Sequence, residues 1–394
     1  MVPLWIPALC IYWSSLALLV YTYGGYPLLI VGLSRLRGRP PRKAAIEPRV
    51  SVVVAARNEE RVIGSKLENL LSLDYPKDKL EIIVVSDGST DKTDEIVRSY
   101  APRGVILERL SVRAGKPTAL NAGVRRATGD VVVFCDARQH IEPGALRALV
   151  SCLADPEVGV VSGELELGAE QGPGLYWRYE KTIRNAEGLF DSVAGATGAL
   201  YCIRRELFRE IPPDCLLDDV FTPMQIMLQG YRVVFEPHAR VFDVEADLRG
   251  EFARKARTLA GNFQLVQQLP ELLSPRKNRI FLQFVSHKLL RLACPYALVG
   301  LLASNAVLVA TLAPCTGFYA TTLVGQLAFY GAAALNALTG RGGRLGRLAH
   351  TFVVLNAAAV AGLYRYLKGD FTWTGARPAE VPPPQAEQHG PAKG

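Results

Sequence analysis

Four carboxylates and one lysine carry most of the chemistry this chain offers: Asp87, Asp136, Asp218, Asp219 and Lys116. Asp87 and Asp136 each close an apolar run, in EIIVVSD (81–87) and VVVFCD (131–136). Asp218 and Asp219 are adjacent and open a helical pattern, LLDDVFTPMQIMLQGYRV (216–233). Neighbouring carboxylates push their pKa values apart, which leaves one of them able to accept a proton near neutral pH, the task of a general base. Carboxylates at a helix N-terminus are also favourable as caps, so spacing alone leaves capping and catalysis open. Lys116 lies in GKPTALNAG (115–123), a glycine-flanked loop before a short helix. There an ammonium and exposed amides attract anions such as phosphates, although a solvated loop lysine has the same pattern. The loop matches neither a Walker loop nor a Rossmann fingerprint. SDGSTD (86–91), taken alone, reads as a strand-to-helix turn capped by Ser89 or Thr90.

Strands and helices alternate around these residues. VSVVVAA (50–56), EIIVVSD, 105–108 and 131–135 read as buried strands, and Ile63, Leu67, Leu70 and Leu71 form the apolar face of a helix. Apolar strands separated by helices predict a mostly parallel sheet with helices on both faces. Ligands of such sheets lie beyond the carboxyl ends of the strands. Arg57, Asn58, Glu59, Asp87 and Asp136 all fall there.

Of the 394 residues, 49% are hydrophobic, and the excess is concentrated at the two ends of the chain. Residues 4–33 carry no charge, a run longer than the roughly 20 residues a bilayer span needs. Its length and the lack of a preceding cationic stretch argue against a cleaved signal peptide. The net charge of +8 is gathered beside apolar segments, at Arg35, Arg37, Arg39, Arg42 and Lys43 and again at Arg341, Arg344 and Arg347. That placement follows the positive-inside rule, puts the central domain in the cytoplasm, and argues against a nucleic-acid partner. The cysteines form no CxxC pair and the histidines no HExxH pattern, so neither a disulfide framework nor a zinc site is expected. The predicted organisation is an N-terminal transmembrane helix (1–34), a basic linker (35–47), an α/β domain (48–245), amphipathic interfacial helices (246–292), membrane segments (293–368) and a tail (369–394) disordered after 378.

Six stretches, VVVAARNEE, VVSDGSTDKT, GKPTALNAG, FCDAR, GATGALYCIRRELF and LLDDV, occur in one order over residues 48–265. Together they resemble the family 2 glycosyltransferases, specifically the membrane-bound branch with cellulose, hyaluronan and poly-N-acetylglucosamine synthases. The resemblance implies a GT-A fold in an inner-membrane, multi-pass protein. It implies a nucleoside-diphosphate sugar donor, UDP-linked in most members, and a divalent metal, Mg or Mn. By position, Arg57, Glu59 and Asp87 hold the base and ribose, Lys116 lies near the donor, and Asp136 is the first member of a DxD motif facing nucleotide and metal. Asp219 matches the catalytic base, with Asp218 beside it. The implied acceptor is a glycan or a lipid-linked acceptor, with membrane lipids and export-complex subunits as further partners; the rival readings are single-sugar transfer to a polyprenyl phosphate lipid and a catalytically weak scaffold subunit of an export complex.

The chain departs from the family in two places. Arg138 stands where the second DxD carboxylate belongs. It points to solvent, or contacts the donor diphosphate, or leaves His140 to complete the metal site. RKART replaces the QxxRW acceptor motif, so Arg254 takes the place of Gln, Arg257 is kept, and Thr258 replaces Trp. Arg257 still suits a charge-assisted contact to a diphosphate. WTGAR (373–377) resembles a WGTR-like element and adds Trp373 to the expected substrate contacts. One span before the domain and three after it would put Trp373 on the far side of the membrane, so segment 348–366 is expected to be interfacial or re-entrant.

Overall fold

The computed structural model describes residues 3–168, 175–244, 248–312 and 316–371. Among the described residues eight strands form one sheet: β1 (Val50–Ala56), β2 (Leu80–Asp87), β3 (Val105–Leu110), β4 (Val131–Asp136), β5 (His140–Ile141), β6 (Val158–Gly168), β7 (Leu200–Arg204) and β8 (Arg232–Val244). Their order is β3-β2-β1-β4-β7-β6-β8-β5. The half that carries the candidate site, β3-β2-β1-β4, is parallel. The other half is mixed, because β7 runs antiparallel to both β4 and β6, and β5 to β8. The expected mostly parallel sheet therefore holds from β3 to β4 and in the β6–β8 pair, and gives way at β7 and β5.

Residue alternation explains the unbroken apolar runs. Val52 and Val54 join Ile63, Leu67 and Leu70 of α3 (Ile63–Leu71) in one core, while Val53 joins the other. Strands covered on both faces need apolar side chains at every position. The second face holds α5 (Lys116–Arg126) and α8 (Asp218–Leu228); α4 (Thr93–Ser99) and α6 (Ala145–Cys152) complete the first. Since β2 and β3 lie to one side of β1 and β4 to the other, the chain reverses direction between β1 and β4. That switch point opens a crevice at the strand ends.

Helices flank this domain. At the N-terminus α1 (Trp5–Val20), a π-helical turn (Tyr21–Gly25) and α2 (Tyr26–Arg37) make one run, longer than expected because Arg35 and Arg37 belong to it. The basic linker that follows is strapped to the domain: Arg39 N donates to Leu189 O at 2.6 Å, and Arg42 N to Asp155 Oδ2 at 3.1 Å. Lys43 pairs with Glu236. α7 (Leu175–Phe190) packs on α2 through Ile183, Ala186, Tyr26 and Ile30. After β8 come α9 (Leu248–Gln268), α10 (Phe281–Gln283), a second π-helical turn (Phe284–Leu289), α11 (Leu290–Thr311), α12 (Thr316–Thr339) and α13 (Gly343–Leu367). Among the described residues, four helical stretches are long and apolar enough to cross a membrane: Trp5–Arg37, Phe281–Thr311, Gly317–Thr339 and Gly343–Leu367. Near its C-terminal end α13 presses on α9. A Cβ on Gly362 would stand 2.9 Å from Ala256 O and Ala260 N, so only glycine allows this approach.

Candidate active site

The crevice carboxylates and Lys116 are delivered by the ends of elements. β4 ends on Asp136, and α5 begins with Lys116. Lys116 Nζ donates to Asp136 Oδ1 at 2.9 Å and lies 3.4 Å from Asp218 Oδ2. Burial alone would discharge this ammonium, but the Asp136, Asp218 and Asp219 carboxylates outweigh it and hold its pKa above the ordinary lysine range. The loop before α5 is pinned by Asp87, whose carboxylate accepts from Ala114 N at 2.6 Å and Gly115 N at 3.0 Å. Asp87 thus couples the end of β2 to Lys116, and a carboxylate bound by two amides still has lone pairs for a ligand.

Asp218 and Asp219 are the first two residues of α8. Asp218 is buried and turned to Lys116. Asp219 is half-buried, and its Oδ2 accepts from Gly198 N at 3.0 Å, while Ala196 N donates to its carbonyl at 2.8 Å. Burial and then the Asp218 charge raise the Asp219 carboxyl to about 6, against the opposing pull of Lys116 and Lys288. Neutral pH therefore leaves Asp219 ionised yet basic enough to take a proton. The capping alternative fails for Asp219, because its carboxylate accepts from an amide of the loop before β7 and not of its own helix.

Gly198 admits this contact. A Cβ there would sit 3.0 Å from Asp219 Oδ2. Gly198→Ala is expected to displace the carboxylate and cost up to about 100-fold in transfer, with thermal stability nearly unchanged; kinetics beside a melting curve check it.

The other expected residues are distributed as follows. Arg57 is exposed and Glu59 half-buried at the end of β1, where Asn58 adopts a left-handed φ of 53°. This turn is tied to the β2 end: Asn58 N donates to Ser89 Oγ (3.2 Å), Thr90 N to Asn58 Oδ1 (2.8 Å) and Glu59 N to Thr93 Oγ1 (2.8 Å). Ser89 and Thr90 thus bind across to β1's turn. Arg138 is half-buried and makes no hydrogen bond or ion pair among the described residues, two positions from Asp136. His140 faces elsewhere: its Nε2 lies 3.3 Å from Asn69 Nδ2, and burial and then Lys66 lower its pKa. Among the described residues no three His, Cys, Asp or Glu side chains gather as a metal site. On α9, Arg257 lies in the field of Asp219, Asp218 and Asp136, which oppose the lowering of its pKa by burial. Arg254, one turn earlier, is half-buried and shares its surroundings. Trp373 lies outside the described residues.

One residue escaped the sequence reading. Arg184 of α7 donates through Nη2 to Ser162 Oγ at 2.9 Å, and the same oxygen accepts from Thr197 N at 3.0 Å. It also lies over the Phe235 ring at 5.2 Å. Burial lowers its pKa, against the charges of Glu187, Glu180 and Asp219. Arg184 therefore braces the loop whose next amide holds Asp219. Its signal was the spacing of Glu180, Arg184 and Glu187 along one face of a helix.

A half-buried lysine bridging carboxylates at a sheet switch point, beside a carboxylate of raised pKa, suits the binding of an anionic group next to a base. Residues 51–212 match the profile of Glycosyl transferase family 2. The match covers less than half of the chain, and the sheet with its flanking helices has a GT-A-like arrangement. The chain is 28% identical over 252 residues to the probable glycosyltransferase YdaM of Bacillus subtilis, covering 59% of this chain and 60% of that one. It is 25% identical over 244 residues to the poly-beta-1,6-N-acetyl-D-glucosamine synthase of Staphylococcus aureus, covering 59% and 58%. It thus spans about 60% of the length of these relatives. Among solved structures, the mannosyltransferase PcManGT from Pyrobaculum calidifontis, in complex with GDP-Man and Mn2+, superposes with a TM-score of 0.71 at 27% identity, over 91% of this chain and 99% of that one.

Proposed function

We propose that the protein is an inverting glycosyltransferase that takes a nucleoside-diphosphate sugar, UDP-linked by the family resemblance, and builds a β-linked saccharide or polysaccharide at the membrane. The observation that carries this reading is Asp219, raised to about 6 and facing a crevice whose floor is the Lys116–Asp136 pair. In it the base and ribose lie against Arg57, Glu59 and Asp87. Asp219 removes the proton of the acceptor hydroxyl. That oxygen bonds to the anomeric carbon from the face opposite the diphosphate, the carbon–oxygen bond to the diphosphate breaks, and its electrons leave with the nucleotide. Lys116, Arg257 and Arg138 neutralise the departing charge.

A divalent ion fits this arrangement through Asp136 alone. Small hard cations are commonly held by one or two carboxylates together with substrate phosphates. Such an ion would supply Lewis-acid neutralisation of the diphosphate. His140, turned to Asn69, is the weaker part of the expected ligand set. Arg138, with no partner among the described residues, supports the reading in which it takes part of the diphosphate charge.

The catalytic domain lies on the cytoplasmic side, by the basic strap after α2. α13 lies along the interface, a reading supported by the close approach of Gly362 to α9. Thr258 in place of the acceptor Trp supports single-sugar transfer to a polyprenyl phosphate lipid as the second reading. A weakly catalytic scaffold role is disfavoured by the joint presence of Asp87, Lys116, Asp136 and Asp219. A panel of radiolabelled UDP- and GDP-sugars, with and without chelator, tests the proposal. One donor is expected to be transferred, with chelator reducing but not abolishing the rate, since lysine and arginine share the charge. Transfer from none of the donors, in vesicles containing acceptor lipids and glycans, would remove the proposal.

A further inference from the structure

Beside Asp219 lie two cations that the donor reading leaves without a task. Arg184 of α7 is half-buried and gives one N–H to Ser162 Oγ; it makes no other hydrogen bond and no ion pair among the described residues. Lys288, in the second π-helical turn, is also half-buried, and its ammonium makes neither a hydrogen bond nor an ion pair among the described residues. The carboxylates near them are taken by other groups. Glu180 accepts from Arg291 at 2.6 Å and lies 3.2 Å from His287 Nε2. Glu187 lies 2.8 Å from His287 Nδ1 and accepts from the Tyr26 hydroxyl, and Glu164 pairs with Lys181. Asp219, whose charge acts on both Arg184 and Lys288, is left to balance them. Charges taken out of water without a partner are costly, so a half-buried pair of cations draws an anion.

The order of the sheet separates these cations from the donor side. Lys116 and Asp136 meet at the end of β4, whereas Arg184 rests on Ser162 of β6 and on the Phe235 ring of β8. β7 lies between β4 and β6, and the loop before it holds Asp219 through Gly198 N. Asp219 therefore has Lys116 on one flank and Arg184 with Lys288 on the other. This second flank meets the membrane-length helices. Next to Arg184, Ile183 and Ala186 pack on Tyr26 and Ile30 of α2, and Lys288 belongs to the stretch Phe281–Thr311. A lipid headgroup reaches it from the bilayer, while Arg57, Glu59 and Asp87 stand apart at the ends of β1 and β2. When Asp219 takes a proton its charge disappears, and only a ligand then balances the two cations.

We propose that Arg184 and Lys288 form an acceptor subsite for a phosphate carried by a membrane lipid. The phosphate accepts charge-assisted hydrogen bonds from the guanidinium and the ammonium, and so holds the accepting oxygen beside Asp219. That oxygen gives its proton to Asp219 and bonds to the anomeric carbon, and the nucleoside diphosphate leaves with the electrons of the broken bond. Two kinds of lipid carry this chemistry. One has hydroxyls beside a phosphodiester; the other is a polyprenyl phosphate, whose singly protonated phosphomonoester supplies the accepting oxygen. A neutral glycolipid leaves the subsite unfilled. The inference deepens the transferase reading and rests on it.

Equilibrium binding to the full chain in nonionic detergent tests it, with UDP and GDP present to fill the donor's diphosphate subsite. The neutral micelle removes the general attraction between a chain of net charge +8 and an anionic surface. Three radiolabelled lipids are compared: phosphatidylglycerol and monoglucosyl diacylglycerol with the same short acyl chains, and farnesyl phosphate. A phosphate-bearing lipid is expected to bind roughly tenfold tighter than the glycolipid, and which of the two does so names the source. Lys288→Met and Arg184→Gln, each checked for folding by thermal melting, are expected to weaken that binding roughly tenfold and to leave glycolipid binding nearly unchanged. Lys288→Arg, which keeps the charge, should retain most of it. Equal affinity for all three lipids would overturn the inference, as would phosphate-lipid binding indifferent to both substitutions, or full displacement by equimolar inorganic phosphate. Calorimetry with the nucleotide sugar separates the two levels: donor binding without a preference for the phosphate-bearing lipids defeats the subsite alone, and no donor binding defeats the transferase reading with it.

Discussion

Asp219→Asn is expected to lower kcat by roughly 10²–10⁴ while leaving nucleotide-sugar binding nearly unchanged, the loss typical of a removed general base. The amide keeps the shape and can still accept from Gly198 N, so the loop from Ala196 to Gly198 stays in place. What disappears is the proton acceptor. The wild type is expected to lose activity as pH falls through about 6, because protonation of the raised Asp219 carboxyl removes the base. The residual activity of Asp219→Asn should show no such acid limb. Initial rates across pH, with donor affinity measured separately, check both parts. Full activity in the variant would transfer the base to another group.

Lys116→Met is the second large effect, expected at roughly 10²–10³ in kcat, the scale of a lost electrostatic stabiliser in an enclosed site. Lys116 Nζ sits between Asp136 at 2.9 Å and Asp218 at 3.4 Å. Removing it leaves the buried Asp218 without its countercharge, and leaves the diphosphate one cation short. Lys116 also lowers the Asp219 pKa, so its loss should move the acid limb of the pH profile upward. A general role in folding would not move that limb. The shift, read beside kcat, therefore separates an electrostatic role from a structural one. An unchanged profile with an unchanged kcat would return Lys116 to the status of a loop residue.

The residues of the site were legible because each closes a pattern. β1, β2 and β4 are buried on both faces, so their apolar runs are continuous and their polar ends stand out as Asp87 and Asp136. β6 and β8 were not legible, because polar residues interrupt them: Glu164 and Glu166 in one, Glu236, His238 and Arg240 in the other. Several are held in place by partners remote in sequence. Lys181 pairs with Glu164, Lys43 with Glu236, and Glu142 with Arg240. No local pattern announces such pairs. α7 hid for the same reason, since its inward face carries Glu180, Arg184 and Glu187 beside Ile183 and Ala186. The reversal at β7 was invisible too, because strand direction depends on pairing and not on composition. His140 is the converse case. Its position after Asp136 suggested a ligand, but the two-residue β5 turns it toward Asn69 and Lys66.

The central claim is a single in-line displacement with Asp219 as base, and the anomeric configuration of the first product tests it most directly. Proton NMR of that product, formed from a donor of known anomeric configuration, is expected to show the opposite configuration at the transferred carbon. Retention of the donor's configuration would contradict the account, because one displacement assisted by one base cannot produce it.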